Sequence, residues 1–324
     1  MSSETLRYAY SLYAKGEYKS ALQLYDEKQK MGGSSSLNGE HRLAYAWCLQ
    51  ERLRYAESMV LTKKILQENP TDATALVNYA ICLGKQNSHR EALTYFDKIL
   101  DSDPKYVPRI GYYAYLLERT GDFEKAAIYY KKALDLEPDN LWYISHYAFF
   151  LHKARKLEDS EKWFKKTLEL SPENTWVIKR YVYLLRDLYG DGKANAYYEE
   201  LINTDSANAN HYINYAELKI LQGYHAEAGR ILQEATSLNN PLVISIIIRV
   251  YLTTLSILQD DGQVDESLKK LRESAQRYGN YIHRDYTDLK NYMRINANDM
   301  RNALFDDVLL TGSNAVKKTV AREQ

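Results

Sequence analysis

Apolar side chains fall along this chain at steps of three and four residues, the spacing of one face of an α-helix, in pairs of stretches parted by a short polar turn. One clear pair is Ile110, Tyr113, Ala114 and Leu117, followed after Gly121-Asp122 by Phe123, Ala126, Tyr130 and Ala133. Each pair predicts a helical hairpin. The hairpins recur in register: Tyr-Ala stands at Tyr45-Ala46, Tyr79-Ala80, Tyr113-Ala114, Tyr147-Ala148 and Tyr215-Ala216, and Tyr181-Val182 fills the gap, so six consecutive units are spaced by 34 residues. Pro70, Pro104, Pro138 and Pro172 keep the same interval, 25 residues after the tyrosine of their unit. Proline cannot donate to a continuing helix and biases the residue before it away from the helical region, so these four mark helix ends.

The first unit repeats the order in Tyr8-Ala9, Leu12, Gly16-Glu17-Tyr18, Ala21 and Tyr25. Met31 to Ser36 makes its connection to the second unit three residues longer than the period and reads as a mobile loop. Small residues at Ala80, Ala92, Ala114 and Ala126 mark where helices touch.

The period of 34, the large-small pair of the first helix, the Gly-x-aromatic turn, and the later alanine, aromatic and closing proline resemble the tetratricopeptide repeat position by position. That resemblance implies an all-α chain, a right-handed α-solenoid of about seven to eight hairpins with a C-terminal capping segment. Residues 1–240 form the array, with units starting near 2, 39, 73, 107, 141, 175 and 209; 241–310 hold an irregular eighth repeat and capping helices; 311–324 read as a disordered tail. The sixth unit departs from the pattern at Val182 and at Tyr189-Gly190-Asp191-Gly192, and the eighth begins about five residues late.

Composition narrows the function. Lys plus Arg equals Asp plus Glu at 43 each, so the chain has no overall field to gather nucleic acid or an anionic membrane. Met-Ser-Ser-Glu-Thr lacks the basic and apolar regions of a cleaved export signal, and the expected compartment is the cytoplasm. Leu242 to Leu258 is apolar but carries Arg249 at its middle, which fits a buried repeat helix better than a membrane span. Cys48 and Cys82 each fall three residues after the tyrosine of their unit and read as packing. His146 and His152 stand six apart, too far round a helix to share a metal.

Phosphate loops, nucleophile elbows, His-Glu-x-x-His and Cys-x-x-Cys are all missing. The expectation is therefore a protein that is not an enzyme, with no cofactor and no metal.

At 100° per residue, the positions five before, one or two before, and two after the tyrosine point away from the core of the hairpin. In proteins that resemble this one, that face lines a concave groove holding a peptide. The residues placed there, and expected to contact a ligand, are Tyr112, Tyr115, Trp142, His146, Phe149, Trp176, Arg180, Tyr183, Arg186 and Asn214. Aromatics with Arg dominate binding hot spots. The aromatics two after the tyrosine have a second reading, as wedges between neighbouring first helices.

The family's carboxylate clamp is matched at Lys179, Asn214 and Arg249, but Tyr183 and Thr253 stand where the clamp needs Asn and Arg. The expected function is a scaffold or adaptor taking a protein or peptide segment in its groove. The alternatives are a module for a glycan or single-stranded nucleic acid, the latter disfavoured by charge, and a non-catalytic subunit of an enzyme complex. The helix from Pro241 to Leu258 and the C-terminal segment could instead pair between copies as a homo-oligomer.

Overall fold

A computed structural model describes residues 3–32, 37–102, 109–260, 262–278 and 284–312. Pro104, the Gly33 to Ser36 connection and the tail from Ser313 lie outside the described residues. The described chain is an all-α solenoid of paired helices, in two compact units, Met1–Leu170 and Ser171–Gln324. The division falls inside the span read from the sequence as one array.

Unit 1 contains five hairpins: α1 (Ser3–Ala14) with α2 (Tyr18–Gly32), α3 (Gly39–Glu51) with α4 (Tyr55–Glu68), α5 (Ala73–Lys85) with α6 (His89–Ser102), α7 (Ile110–Thr120) with α8 (Phe123–Leu136), and α9 (Leu141–Lys153) with α10 (Leu157–Leu170). Unit 2 contains α11 (Thr175–Tyr189) with α12 (Asp191–Thr204), α13 (Ala209–Leu221) with α14 (His225–Ser237), and α15 (Leu242–Gln259) with α16 (Val264–Tyr278), then α17 (Thr287–Asn296) and α18 (Asp299–Gly312).

The period is a packing requirement. Ala9, Ala46, Ala80, Ala114, Ala148, Val182 and Ala216, each next to its marker residue, are all fully buried. So are Ala21, Ser58, Ala92, Ala126, Ser160, Ala194 and Ala228, thirteen residues after the marker on the second helix. Backbones close to contact at these sites because no side chain longer than one heavy atom beyond Cβ, or a valine, intervenes. Where serine replaces alanine it stays satisfied: Ser58 Oγ donates to the Ala46 carbonyl and Ser160 Oγ to the Ala148 carbonyl, both at 2.7 Å. Four residues further on, Tyr25, Phe96, Tyr130, Phe164 and Tyr198 are fully buried and fill the space beside the small seam.

Helix ends keep the same beat. Asn38, Asp72, Asn140, Asn174 and Asn208 precede first helices, and each accepts a hydrogen bond from a backbone N–H of the first turn. Such caps contribute about 1 kcal/mol each. The turn between the two helices of a hairpin needs one left-handed residue, supplied by Gly16, Gly121 and Gly223 but also by Leu53, Asn87 and Arg155.

In unit 2, α15 is, among the described residues, the one helix long and apolar enough to cross a membrane by length and composition. Here it packs with α14, α16 and α18, and buries Ile246, Ile248, Val250, Tyr251 and Ile257. Helix α18 covers α15 and α16 with Phe305, Val308 and Leu309. Helix α17 packs on α13 and touches α18, burying Leu289 and Met293, while Asp288 in its first turn pairs with Lys179 at 3.2 Å.

Candidate functional site

In unit 1 the marker tyrosines face the second helices: Tyr113 meets the Tyr129 ring and donates to Asp97 at 3.2 Å. The opposite face of α5, α7 and α9 carries a cluster of rings. The Trp142 and His146 rings stack with centroids 3.7 Å apart, a geometry set by one helical turn and by a 2.9 Å hydrogen bond between His146 Nδ1 and the Trp142 carbonyl. Tyr115 stands edge-on to His146 at 6.0 Å and to Trp142 at 6.4 Å. Tyr112 is buried beneath, donating to the Ile81 carbonyl at 3.3 Å, while Tyr115, Trp142, His146 and Phe149 keep part of their surface in solvent.

Cations border these rings. Lys85, Arg119 and Lys153 occupy one register position, six residues after Tyr79, Tyr113 and Tyr147. Lys85 and Arg119 are exposed; Arg119 Nε donates to His89 Nε2 at 3.4 Å. Lys153 Nζ lies 5.7 Å from the Phe149 ring and donates at 2.6 Å to Glu118, which also accepts from Tyr130. Burial pushes the His146 imidazolium down to about 4, and the Lys85 charge acts in the same direction. At neutral pH the face therefore offers a neutral imidazole, aromatic edges and a row of cations.

In unit 2 the corresponding face of α11, α13 and α15 is covered by the chain's own residues 284–293. Arg284 Nη2 donates to Asn214 Oδ1 at 2.8 Å, lies 3.9 Å from Glu217, and its guanidinium sits over the Tyr251 ring at 5.4 Å. Asp288 pairs with Lys179 at 3.2 Å and Arg180 at 3.4 Å, and Asp285 with Arg180 at 3.1 Å. Glu217, fully buried, accepts from Lys179 Nζ at 2.6 Å and from the Tyr251 hydroxyl. Burial works against the Asp285 carboxylate, yet hydrogen bonds from Thr287 and the charges of Lys179 and Arg180 hold it below its usual range. Tyr292 is hydrogen-bonded to His225 Nε2 at 2.9 Å.

A tetratricopeptide-repeat profile matches residues 51–117, and a second matches residues 111–140. Residues 51–140 therefore carry tetratricopeptide repeats. Among solved structures the chain is similar to a tetratricopeptide repeat protein of Parabacteroides merdae, at 17% identity over 77% of this chain and 98% of that one, with a TM-score of 0.55. It is also similar to PilW, a type IV pilus biogenesis factor, at 20% identity over 64% of this chain and 94% of that one, TM-score 0.54. Yeast Tom70 aligns at 18% identity over 95% of this chain and 63% of its own, TM-score 0.57. At these identities the likeness is one of fold. No curated protein matches the sequence.

Within the solenoid, the residues singled out from sequence separate into two groups. Tyr112, Tyr115, Trp142 and His146 form the ring cluster of unit 1, with Phe149 on the same face under Lys153. In unit 2, Arg180 and Asn214 bind the segment that begins at Arg284, and Trp176 lies under the Arg180 guanidinium at 5.8 Å. Tyr183 is buried, with Lys179 and Arg186 over its ring at 5.7 and 5.2 Å. Arg186 Nε also lies 4.0 Å from Asp187.

The basic row of unit 1 was absent from that selection. Its signal was present six residues beyond the tyrosines of three successive hairpins, where Glu51 and Asp187 stand in two neighbouring hairpins. Cys48 and Cys82 are buried thiols, raised by burial to about 12 and about 11. They are therefore not nucleophiles at neutral pH.

Proposed function

We infer that this protein is a scaffold whose unit 1 holds a segment of a partner protein along the exposed face of α5, α7 and α9. The fold itself is that of a protein–protein interaction scaffold. The observation that carries the finer reading is the partly buried cluster of Tyr115, Trp142 and His146 beside the exposed Lys85 and Arg119. Rings held rigid by stacking offer large contact area at low entropic cost, and burying one apolar side chain of a ligand against them contributes roughly 1.5–3 kcal/mol. Exposed cations add little affinity but steer encounter and set register. The matching ligand carries an aromatic or large aliphatic residue with a carboxylate close by.

An immobilised peptide library probed with the full chain tests this. Bound peptides should be enriched in aromatic or aliphatic residues near Asp or Glu. Tyr115→Ala with Trp142→Ala should weaken them at least tenfold, and Lys85→Glu with Arg119→Glu, at exposed sites that leave the core alone, should erase the acidic preference. Enrichment unchanged in both double variants contradicts the reading.

A further inference from the structure

The segment covering unit 2 buries Leu289 and Met293 on α17, but its N-terminal end is held by charges. Its anchors are Arg284, Asp285 and Asp288, and they meet Lys179, Arg180, Asn214, Glu217 and Tyr251. Well-packed apolar residues make an equally stable or more stable closure than a buried ion network of this kind, and α18 provides such a closure a few residues later with Phe305, Val308 and Leu309. The receiving residues also hold repeat positions. Lys179, Arg180 and Tyr183 stand two before, one before and two after Tyr181; Asn214 and Glu217 stand one before and two after Tyr215. In unit 1 the equivalent positions carry His146, Phe149 and Tyr115, which keep solvent access.

The fit is also incomplete. The Tyr183 hydroxyl, on a side chain buried to all but 8%, has no hydrogen-bond partner; Glu217 and Asp288 lie near it, and Lys179 lies over the ring. The Tyr286 hydroxyl of the resident segment is likewise buried without a partner. A buried donor left unpaired counts against the complex that leaves it so. An occupant bringing an acceptor to Tyr183 would remove that penalty.

We propose that the face formed by α11, α13 and α15 is a second recognition site, specific for a partner segment in which an arginine is followed by carboxylates one and four residues later, and that residues 284–293 occupy it in cis as a resident copy of that ligand. The arginine goes to Asn214, Glu217 and the Tyr251 ring, and the carboxylates go to Lys179 and Arg180. The site is separate from the aromatic face of unit 1 and stands or falls without it. Because the resident segment is tethered, its effective concentration is of millimolar order, and a free partner of micromolar intrinsic affinity binds only weakly until the tether is beaten or released.

The probe is a labelled synthetic peptide spanning Arg284 to Asn296, titrated by fluorescence anisotropy into the full chain. Wild type should bind it weakly. A full chain carrying Arg284→Ala and Asp288→Ala, which loosens the resident copy but leaves the receiving face intact, should bind it at least tenfold more tightly. A peptide carrying the same two substitutions should lose that gain. Asp285→Ala, at a half-exposed side chain with one ion-pair partner, provides the reading if the double variant proves misfolded by circular dichroism, and should raise affinity at least threefold. No gain in either variant, or equal binding of the substituted peptide, overturns the proposal. It is overturned too if light scattering finds the wild-type chain dimeric and the double variant monomeric, since the segment is then exchanged between copies.

Discussion

Glu217 is the most exacting position in unit 2. It is fully buried and accepts from Lys179 Nζ at 2.6 Å and from the Tyr251 hydroxyl, with Arg284 3.9 Å away. Glu217→Gln keeps the shape and removes the charge, leaving Lys179 and Arg284 as two neighbouring cations with one carboxylate fewer. Breaking one side of a buried pair costs about 3–5 kcal/mol. Lys179 retains Asp288 at 3.2 Å, which places the expected cost near the lower end, about 3 kcal/mol. For a unit of this size that is a fall in Tm of about 6–12 °C. Hydrogen exchange with mass spectrometry separates the units: amides of α11, α13 and α17 should lose protection while those of α5 and α7 keep theirs. Combining Glu217→Gln with Arg284→Met removes the stranded cation, so the pair should couple by at least about 1 kcal/mol. A Glu217→Gln variant within 1 kcal/mol of wild type would refute the description of this network as charged and desolvated.

Three further outcomes are expected. At Gly111 an added Cβ would sit 2.4 and 2.5 Å from Tyr143 ring atoms and 3.3 Å from the Trp142 ring. Gly111→Ala should therefore cost about 1–3 kcal/mol of overpacking, offset by at most about 1 kcal/mol of helix propensity, and should shift the Trp142 emission. Arg155 holds a left-handed turn at φ 59°, so Arg155→Gly should leave stability unchanged or raise it by up to about 1 kcal/mol in urea denaturation. His146 titrates at about 4 when folded, against an ordinary value of 6.5, so the unfolded chain binds the proton more readily. Stability from this group is complete above pH 6.5 and is lost as pH falls toward 4, by up to about 3 kcal/mol; His146→Phe should flatten that slope, and an unchanged slope would contradict it.

The hairpins were legible in the sequence because stacking imposes the same steric demand at the same spacing. Ala114 and Ala126 must be small and Tyr130 must fill the gap beside them, a demand met by an aromatic in five of the hairpins and by Thr62 and Leu232 in two others. The ring cluster of unit 1 was legible for the same reason, since Trp142, His146 and Tyr115 sit at fixed angles from the repeat's own tyrosines. The placement of α17 was not. Leu289 and Met293 stand one turn apart and are buried, but the charges that fix where the segment docks follow no periodicity: Arg284 is bonded to a partner 70 residues earlier and Arg180 to one 108 residues later. Leu53 and Arg155 hid their turns, since both adopt the left-handed conformation where glycine would have announced it. The basic row was hidden in a different way: lysine and arginine six beyond a tyrosine look like any solvated charges until the register is followed that far.

The four tryptophans offer the most direct test of the aromatic face as a recognition surface. Trp142 lies in the ring cluster, Trp163 on a second helix against Tyr147, Trp47 is buried, and Trp176 belongs to unit 2. Titrating a library-selected aromatic-acidic peptide into uniformly 15N-labelled chain while following the indole resonances should move Trp142 and leave Trp163 in place. A bound peptide that moves Trp163 and not Trp142 would show the ligand on the other side of the hairpins and contradict the account.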